Sequence, residues 1–267
     1  MPNEFCHWEN ASLVFLAYTF ACALLLPGLT RRARILSGCG CLAGLAIVVW
    51  SASRPITDNA GRFLFLPALV LLLGYWTTGL LFRAPMPGVE SLLRRFDSMV
   101  RVRDTAASIP RPVAELLEFA YAAVYVLVPL ALLIHVMITP AELIDRDRFW
   151  TVILVTDFIC FGLLPWIQTR PPRALEDADP WRSSFRRFNL RMLGSTSIRV
   201  NTCPSGHAAE AVAAALLVTN APLPVVVMMV LAALAVSAGA VYGRYHYAID
   251  ALSGWVVAVA VWAAASA

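Results

Sequence analysis

Two short stretches of the chain place histidines beside residues that could make them reactive. Residues 201–210 read NTCPSGHAAE and contain His207, and residues 243–250 read GRYHYAID and contain His246 and Asp250. Positions four apart share a helix face, so Asp250 can accept a hydrogen bond from one ring nitrogen of His246 and leave the other nitrogen free as a base or nucleophile. Taken alone, this pair is better explained as a structural contact at a helix end.

Residues suited to binding an anion lie close to these histidines. Ser205 is a good N-cap for the alanine-rich run that follows, and a helix N-terminus offers free N–H groups and positive potential to an anion. His207 would lie in that first turn, where it could donate a proton to a leaving oxygen. Arg170 and Arg173 in TRPPR, and Arg244, carry guanidinium groups that match phosphate geometry, although most arginines beside membrane helices are simple anchors.

The elements that must position these residues are membrane helices. Of 267 residues, 60% are hydrophobic and 14% are charged, whereas soluble domains are about 45–50% apolar and about 25% charged. A membrane span needs roughly 20 mostly apolar residues. Eight candidate spans follow, of which the second and sixth are short: about 12–28, 35–53, 63–82, 113–138, 150–168, 207–220, 223–242 and 246–266. The sequence therefore predicts an all-α, polytopic membrane helix bundle.

Two long segments separate the candidate spans. Residues 84–111 repeat apolar residues at helical spacing among arginines, which predicts an amphipathic helix in the membrane interface, with a plain hairpin as the alternative. Residues 169–206 form a basic, proline-marked loop that would hold part of the active site. If eight spans alternate, 17 of the 21 arginines fall on the side of this loop and 4 on the other. Since cytoplasmic loops are rich in arginine, this distribution favours a cytoplasmic site.

The arginine and histidine elements fall on one side of the predicted bundle, which is hard to explain if each is only structural. In order, RPPR at 170–173, PSGH at 204–207 and HYAID at 246–250 resemble the signature of the type-2 phosphatidic acid phosphatase superfamily. Its members are metal-independent lipid phosphatases and phosphotransferases, marked by an Arg-Pro element, then Pro-Ser-Gly-His, then His-x3-Asp. The resemblance implies a six-helix phosphatase core at 63–267, preceded by two additional transmembrane helices at 1–62.

The resemblance also implies a role for each matching residue. His246 would attack phosphorus and form a phosphohistidine, Asp250 would orient and support it, and His207 would protonate the departing alkoxide and then activate the acceptor. The phosphate oxygens would be bound by Arg170 or Arg173, Ser205 and the Gly206 amide. No metal or other cofactor is implied. The implied partners are the bilayer and a membrane lipid phosphate, with no nucleic acid, and the sequence gives no sign of an oligomeric state.

The chain departs from the family pattern at two places. The lysine expected seven residues before the motif arginine is absent, since all 21 basic residues are arginines. The Ser-Arg pair expected seven and six residues before the nucleophilic histidine is Gly239-Ala240, and Arg244 is a hypothetical replacement for that arginine. These changes affect the phosphate contacts, and with them the substrate.

The resemblance and the arginine distribution disagree about the membrane side. Well-known members of the superfamily act on the outer or lumenal face, whereas the arginines favour a cytoplasmic site. The expected location is a bacterial inner (plasma) membrane, with the side of the active site left open.

Two other enzymatic reactions fit parts of the pattern. Hydrolysis is ranked first, but an alcohol acceptor would make the protein a phosphotransferase similar to inositol phosphorylceramide synthase. The two extra helices and the missing lysine lean slightly toward that branch. An intramembrane serine protease using Ser205 and His246 is disfavoured, because Cys203 stands where a glycine-rich setting is usual and His207 would have no role.

A transporter is the alternative outside enzymes. An ion path could be formed by Glu118, Asp157, Glu210 and Asp250. We expect Glu118 and Glu210 to reach solvent near helix ends, and no inverted repeat is visible. Asp157 is different, since it lies at mid-depth in the fifth span with no partner apparent from the sequence, where it could bond a neighbouring helix or line the substrate cavity.

Overall fold

A computed structural model of the protein describes residues 5–55, 61–138, 145–176, 179–198 and 200–266. Arg199, one of the arginines counted above, lies outside these ranges. Within them the chain is helical apart from loops and one isolated antiparallel bridge between Thr169 and Asn201. The predicted all-α polytopic bundle is confirmed.

The described residues form eleven α-helices, and a π-helical turn, Gly61–Phe65, leads into the third. They are α1 (His7–Leu25), α2 (Arg31–Ala52), α3 (Leu66–Gly79), α4 (Pro87–Met99), α5 (Val102–Ser108), α6 (Arg111–Ile138), α7 (Arg146–Gly162), α8 (Ser184–Thr196), α9 (Gly206–Leu216), α10 (Leu223–Tyr242) and α11 (Ala248–Ala264). Five of them are long and apolar enough to cross a membrane: α1, α2, α3 with its π-helical turn, α6 and α10. These five indicate an integral membrane protein.

The lengths of several predicted spans are corrected by the structure. α9 has 11 residues, and such a helix rises only about 16 Å against a hydrocarbon core of about 30 Å. α7 and α11 have 17 residues each. α2, predicted to be short, has 22 residues because it begins at Arg31, where Thr30 caps the helix by accepting from Ala33 N–H. Arginines that were assigned to a loop are therefore its first turn.

The two long segments contain more structure than the sequence suggested. Residues 84–111 form two helices, α4 and α5, which meet at Arg101 in a left-handed backbone conformation (φ 54°). The predicted amphipathic pattern is present in α4, where Leu92 is exposed and Leu93 is buried. Residues 169–206 contain α8, which was not predicted. Ser183 caps it by accepting from Arg186 N–H.

Both described chain ends lie at the same end of the bundle, opposite the two histidine motifs. His7 Nδ1 and Asp147 Oδ2 are 2.8 Å apart, which joins the starts of α1 and α7. Arg148 donates to the carbonyl of Ala265, just after α11, at 2.9 Å. Since α11 starts beside His246 and ends here, the site and the chain ends are separated by the length of the bundle. We refer to the two as the site end and the terminal end.

A buried ion pair stabilises the terminal end. Arg62 Nη2 donates to Glu9 Oε2 at 2.7 Å, and the two side chains are 1% and 0% exposed. Ser51 Oγ donates to the other carboxylate oxygen of Glu9 at 2.6 Å. A buried charge needs a charged or hydrogen-bonded partner. Here the partners come from α1, α2 and the π-helical turn before α3, so their contacts connect these three elements.

The centre of the bundle is α9, which packs against α6, α7, α10 and α11. Its alanines are buried on several faces, and their small side chains let the neighbouring helices approach closely. α11 comes closest at Gly254, where a Cβ would lie 2.6 Å from the carbonyl oxygen of Ser205. This packing fixes the first turn of α9, which contains His207, against the first turns of α11.

Candidate active site

A cavity of about 130 Å³ lies near the site end and is lined by α3, α6, α7, α8, α9 and the segments that precede α9 and α11. Its polar lining includes His207, His246, Arg173, Asp157 and Glu210. Aromatic side chains form much of the remaining wall: Tyr75, Trp76, Tyr121, Tyr125, Phe161 and Tyr245. Both predicted catalytic histidines and one predicted phosphate-binding arginine therefore face one cavity.

His246 and Asp250 are close, but the expected hydrogen bond between them is not formed. Nδ1 of His246 lies 3.7 Å from Asp250 Oδ2, which is beyond hydrogen-bond length. α11 begins at Ala248, so His246 precedes the helix and does not share a regular helix face with Asp250. Nδ1 of His246 is buried and has no hydrogen-bond partner among the described residues. The pair forms an ion contact when the imidazole is protonated.

Asp250 is held in place by other groups. It is fully buried, and its Oδ2 accepts from Asn201 Nδ2 at 2.8 Å and from Tyr247 N–H at 3.0 Å. Asn201 also donates to Thr169 Oγ1 at 3.1 Å. Asn201 was not predicted, although it stands only three residues before the Pro-Ser-Gly-His motif. Its two hydrogen bonds connect the TRPPR segment to the start of α11.

His207 lies in the first turn of α9, as predicted. Its ring centroid is 5.9 Å from that of His246. Tyr125 Oη lies 3.3 Å from His207 Nε2, and the ring of Tyr121 is stacked on the imidazole with centroids 5.2 Å apart. The two tyrosines are four apart on α6 and share a helix face, a spacing that could have identified them in the sequence.

Arg173 is the predicted phosphate-binding arginine that the structure places in the cavity. Its Nη1 donates to the carbonyl of Tyr245 at 3.4 Å, and its guanidinium carbon lies 5.3 Å from the centroid of the Tyr245 ring. Among the described residues, these weak contacts leave most of the donor capacity of Arg173 free to bind an anion.

Arg170 is directed away from the cavity. Its Nε and Nη2 donate to the two carboxylate oxygens of Glu90 on α4, at 3.0 and 2.8 Å. Hydrogen bonding from Arg170 lowers the pKa of Glu90, against the opposing effect of burial. Of the two arginines left open by the sequence, Arg170 connects the loop to α4 and Arg173 faces the histidines.

The structure places Arg244 outside the cavity, unlike the prediction that it binds the substrate phosphate. It is 2% exposed and bonded to Asp97 and Glu176, with a distance of 2.7 Å from Nη1 to Asp97 Oδ2. Burial raises the pKa of Asp97, and the Ala248 amide and Arg244 partly offset this. The backbone at Arg244 is left-handed (φ 61°), which turns its side chain away from His246. In this arrangement the hypothesis that Arg244 replaces the missing family arginine has no support, because its guanidinium is bonded to Asp97 and Glu176.

The Ser-Gly pair before His207 has a structural role in this conformation. Ser205 is fully buried, and its Oγ lies 3.4 Å from Ala208 N–H, as a weak N-cap. Its own N–H donates to the carbonyl of Asp250 at 2.9 Å. Gly206 lines the cavity, and a Cβ there would come within 3.2 Å of both Asp157 Oδ1 and the Phe161 ring. Glycine thus lets these side chains approach the start of α9.

Glu118 was expected to reach solvent, and this expectation is wrong. It is fully buried on α6 and accepts four hydrogen bonds at 2.6–3.0 Å, from Tyr245 Oη, Asn189 Nδ2, Trp181 Nε1 and Arg186 Nη1. The sequence did not indicate this because the partners come from α8 and two loops. Glu118 attaches α8 to the wall of the cavity and fixes the Tyr245 ring.

The missing Ser-Arg pair is explained by the packing of α10. A Cβ at Gly239 would lie 2.3 Å from the carbonyl oxygen of Leu117, so α10 and α6 approach too closely for a side chain. Ala240 is fully buried beside the stacked rings of Tyr121 and Tyr245, whose centroids are 4.0 Å apart. The space that a longer side chain would take is filled by this aromatic pair.

Among the residues that the structure describes, no group of three or more His, Cys, Asp or Glu side chains is arranged to hold a metal ion. The expectation that the protein needs no cofactor stays a prediction.

The fold and the grouped histidines together define a class of protein, a helical membrane protein with residues suited to phosphatase or phosphotransferase chemistry. The sequence model of the PAP2 superfamily matches residues 95–264, and the chain belongs to this superfamily, the type-2 phosphatidic acid phosphatases. The superfamily comprises phosphatases and related phosphotransferases, and membership supports a function of this type. No curated protein and no solved structure matches the chain. The match begins within α4, and the division of the chain at residue 62 stays a prediction.

Proposed function

We propose that the protein is a metal-independent lipid phosphate phosphatase of the membrane that works through a phosphohistidine at His246. The observation that supports this most directly is the placement of His207 and His246 in one cavity, with ring centroids 5.9 Å apart and Arg173 beside them. A phosphate held between the two rings would be within reach of a nucleophile and of an acid. Phosphoryl transfer depends on such positioning and on positive charge around the phosphate oxygens.

In the first step, Nε2 of His246 attacks phosphorus and the bond from phosphorus to the lipid oxygen breaks. His207 gives its proton to the departing alkoxide, because a proton on that oxygen makes it a better leaving group. Asp250, 3.7 Å from Nδ1 of His246, stabilises the positive charge that the ring acquires. Arg173 and the amides at the start of α9 bind the remaining phosphate oxygens.

In the second step, water attacks the phosphohistidine and the bond from phosphorus to His246 Nε2 breaks. The proton of the attacking water passes to His207, which returns to its starting state. An alcohol in place of water would give transfer rather than hydrolysis.

The test is phosphate release by the purified protein in detergent. Phosphatidic acid, a polyprenyl diphosphate and phosphatidylglycerol phosphate are supplied with a chelator, to the wild type and to His246→Ala. We expect release to persist with chelator and to fall by at least roughly 1,000-fold in the variant, the scale of losing a nucleophile. A phosphorylated intermediate labile in acid should be trapped from the wild type alone.

His7→Ala is the matched control, since it removes an exposed histidine at the terminal end. Its activity should equal that of the wild type. Release that needs a divalent metal, or that survives in His246→Ala, contradicts the proposal. If no lipid releases phosphate and no phosphohistidine forms, the protein is not a phosphatase of this kind.

A further inference from the structure

Two carboxylic acids line the cavity without a part in the chemistry above. Asp157 lies on α7, five residues before the helix ends, and is 1% exposed. Glu210 lies on α9, three residues after His207, and is partly buried. Within the described ranges neither acid has a salt bridge or a side-chain hydrogen bond to the protein, and Oδ2 of Asp157 is buried without a partner. Such a group calls for an explanation, because leaving it unpaired costs stability.

The other buried glutamates and aspartates make this exception clear. Four of them each hold an arginine: Glu9 with Arg62, Glu90 with Arg170, Asp97 with Arg244 and Glu118 with Arg186. Asp250 is bonded to Asn201 and the Tyr247 amide. Among the residues that the structure describes, the other buried acids are thus paired, whereas Asp157 and Glu210, which have no hydrogen-bonding or ionic partner there, both face the catalytic cavity.

The position of the two acids indicates what they could contact. Oδ1 of Asp157 lies against the first turn of α9, since a Cβ on Gly206 would be 3.2 Å from it. Glu210 follows one turn after His207, and residues three apart lie on neighbouring positions of a helix face. Together the acids border the space next to the histidine that would activate the acceptor. At about 130 Å³ this cavity holds several hydroxyl groups rather than a single water.

We infer that Asp157 and Glu210 form a subsite that binds the hydroxyl groups of a polyol, a small alcohol with two or more hydroxyls. This rests on the proposed function. A hydroxyl donates to a carboxylate and also accepts from donors such as Arg173 and His207. A cation suits the cavity less well, because Arg173 already supplies positive charge there.

The polyol can reach this subsite from two sources. As a free acceptor it would attack the phosphohistidine: its oxygen bonds to phosphorus, the bond to His246 Nε2 breaks, and its proton passes to His207. As part of the donor lipid it would be the headgroup that carries the phosphate. In both cases at least one oxygen of the polyol is bonded to phosphorus, and each hydroxyl that remains free can donate to the acids.

The experiment compares the wild type with Asp157→Asn and Glu210→Gln. Radiolabelled phosphatidic acid is the donor, and glycerol, inositol, ethanol and choline are the acceptors. For a free acceptor, we expect both variants to raise the KM for glycerol and inositol by about tenfold or more, the effect of one lost hydrogen bond to a charged group. Phosphohistidine formation from phosphatidic acid should change by less than about threefold, because the reacting groups remain.

A comparison of two donor lipids tests whether the polyol is the headgroup of the donor. If the polyol comes from the lipid, the variants should raise the KM for phosphatidylglycerol phosphate and leave that for phosphatidic acid unchanged. Thr156→Val is the control, since Thr156 is the buried neighbour of Asp157 on α7 and does not line the cavity. It should behave as the wild type in every assay, and thermal unfolding checks that all variants fold.

Several results would overturn the inference. Equal KM values for the wild type and both variants with every donor and acceptor would do so, as would a preference for ethanol or choline over the polyols. Activation by Mg²⁺ that the variants abolish would assign the acids to a metal ion instead. Equilibrium binding of radiolabelled inositol can be measured on His246→Ala, with and without Asp157→Asn. This measurement does not depend on catalysis. Failure of the proposed function can thereby be told apart from failure of the subsite.

Discussion

At the scale of residues, the two arginines of the TRPPR segment have different surroundings. Arg173 lines the cavity and makes only weak contacts with Tyr245. Arg170 gives two donors to Glu90 and has its carbonyl bonded by Tyr247 Oη at 3.1 Å. An arginine whose donors are already used by a carboxylate cannot bind phosphate without breaking that pair.

We therefore expect Arg173→Ala and Arg170→Ala to affect different quantities. Arg173→Ala should lower kcat/KM for a lipid phosphate by about 10- to 100-fold, as one charge-assisted hydrogen bond to the phosphate is lost. Arg170→Ala should mainly lower the midpoint of thermal unfolding, since Glu90 loses its partner. Steady-state kinetics and unfolding in detergent measure the two effects. A larger kinetic loss in Arg170→Ala would show that the cavity rearranges when substrate binds.

At the scale of elements, α8 is attached to the bundle through one buried carboxylate. Arg186 of α8 is 3% exposed and donates to Glu118 of α6 and to the carbonyl of Gly243. Burial, which disfavours the guanidinium charge, is outweighed by Tyr245, Asp179 and Glu118, so the pKa of Arg186 is raised. Through Glu118 the position of α8 is coupled to the Tyr245 ring, and this ring stacks on Tyr121 beside His207.

Glu118→Gln should destabilise the protein by about 3–5 kcal/mol, because it leaves the buried charge of Arg186 without its partner on α6. A thiol-reactive dye can follow unfolding, since Cys6, Cys22, Cys41 and Cys160 are buried. Glu115→Gln is the control: Glu115 lies one turn earlier on α6 and accepts from Ser183 and from exposed amides at the start of α8. If Glu115→Gln lowers the free energy of unfolding as much as Glu118→Gln does, the burial of Glu118 does not explain the loss.

The elements of this fold were largely predictable, and their contacts were not. Long apolar runs locate helices because the bilayer imposes their length and composition. The Pro-Ser-Gly-His motif located the start of α9 through its cap. α8 was missed because its arginines and the nearby prolines suggested a basic loop, whereas Arg186 is buried against a glutamate 68 residues away. Likewise, the distance between His246 and Asp250 depends on where α11 begins, a register that residue spacing alone does not determine.

At the scale of the whole molecule, the chain ends and the histidines occupy opposite ends of the bundle. The arginine-rich loops lie at the site end, together with α4, α5 and α8. Because cytoplasmic loops are usually rich in arginine, we propose a cytoplasmic site with both described chain ends outside.

Labelling of single cysteines tests this orientation. In a Cys39→Ser background, which removes an exposed native thiol, cysteine is placed at the site end by Arg182→Cys or at the terminal end by His7→Cys. A membrane-impermeant maleimide should label the first variant only in inverted vesicles and the second only in right-side-out vesicles. The reverse pattern would place the site outside, as in the well-known members of the superfamily.

The buried arginine–acid pairs limit how this sequence can diverge. Losing one partner of such a pair strands a charge in the interior, whereas replacing both with apolar residues of similar volume is often neutral. Glu9 and Arg62, which lie far from the catalytic cavity, should therefore be exchanged together in descendants of this chain, as should Glu118 and Arg186. Asp157 and Glu210 have no arginine partner among the described residues, so under the proposed subsite the molecule that enters the cavity would select for them.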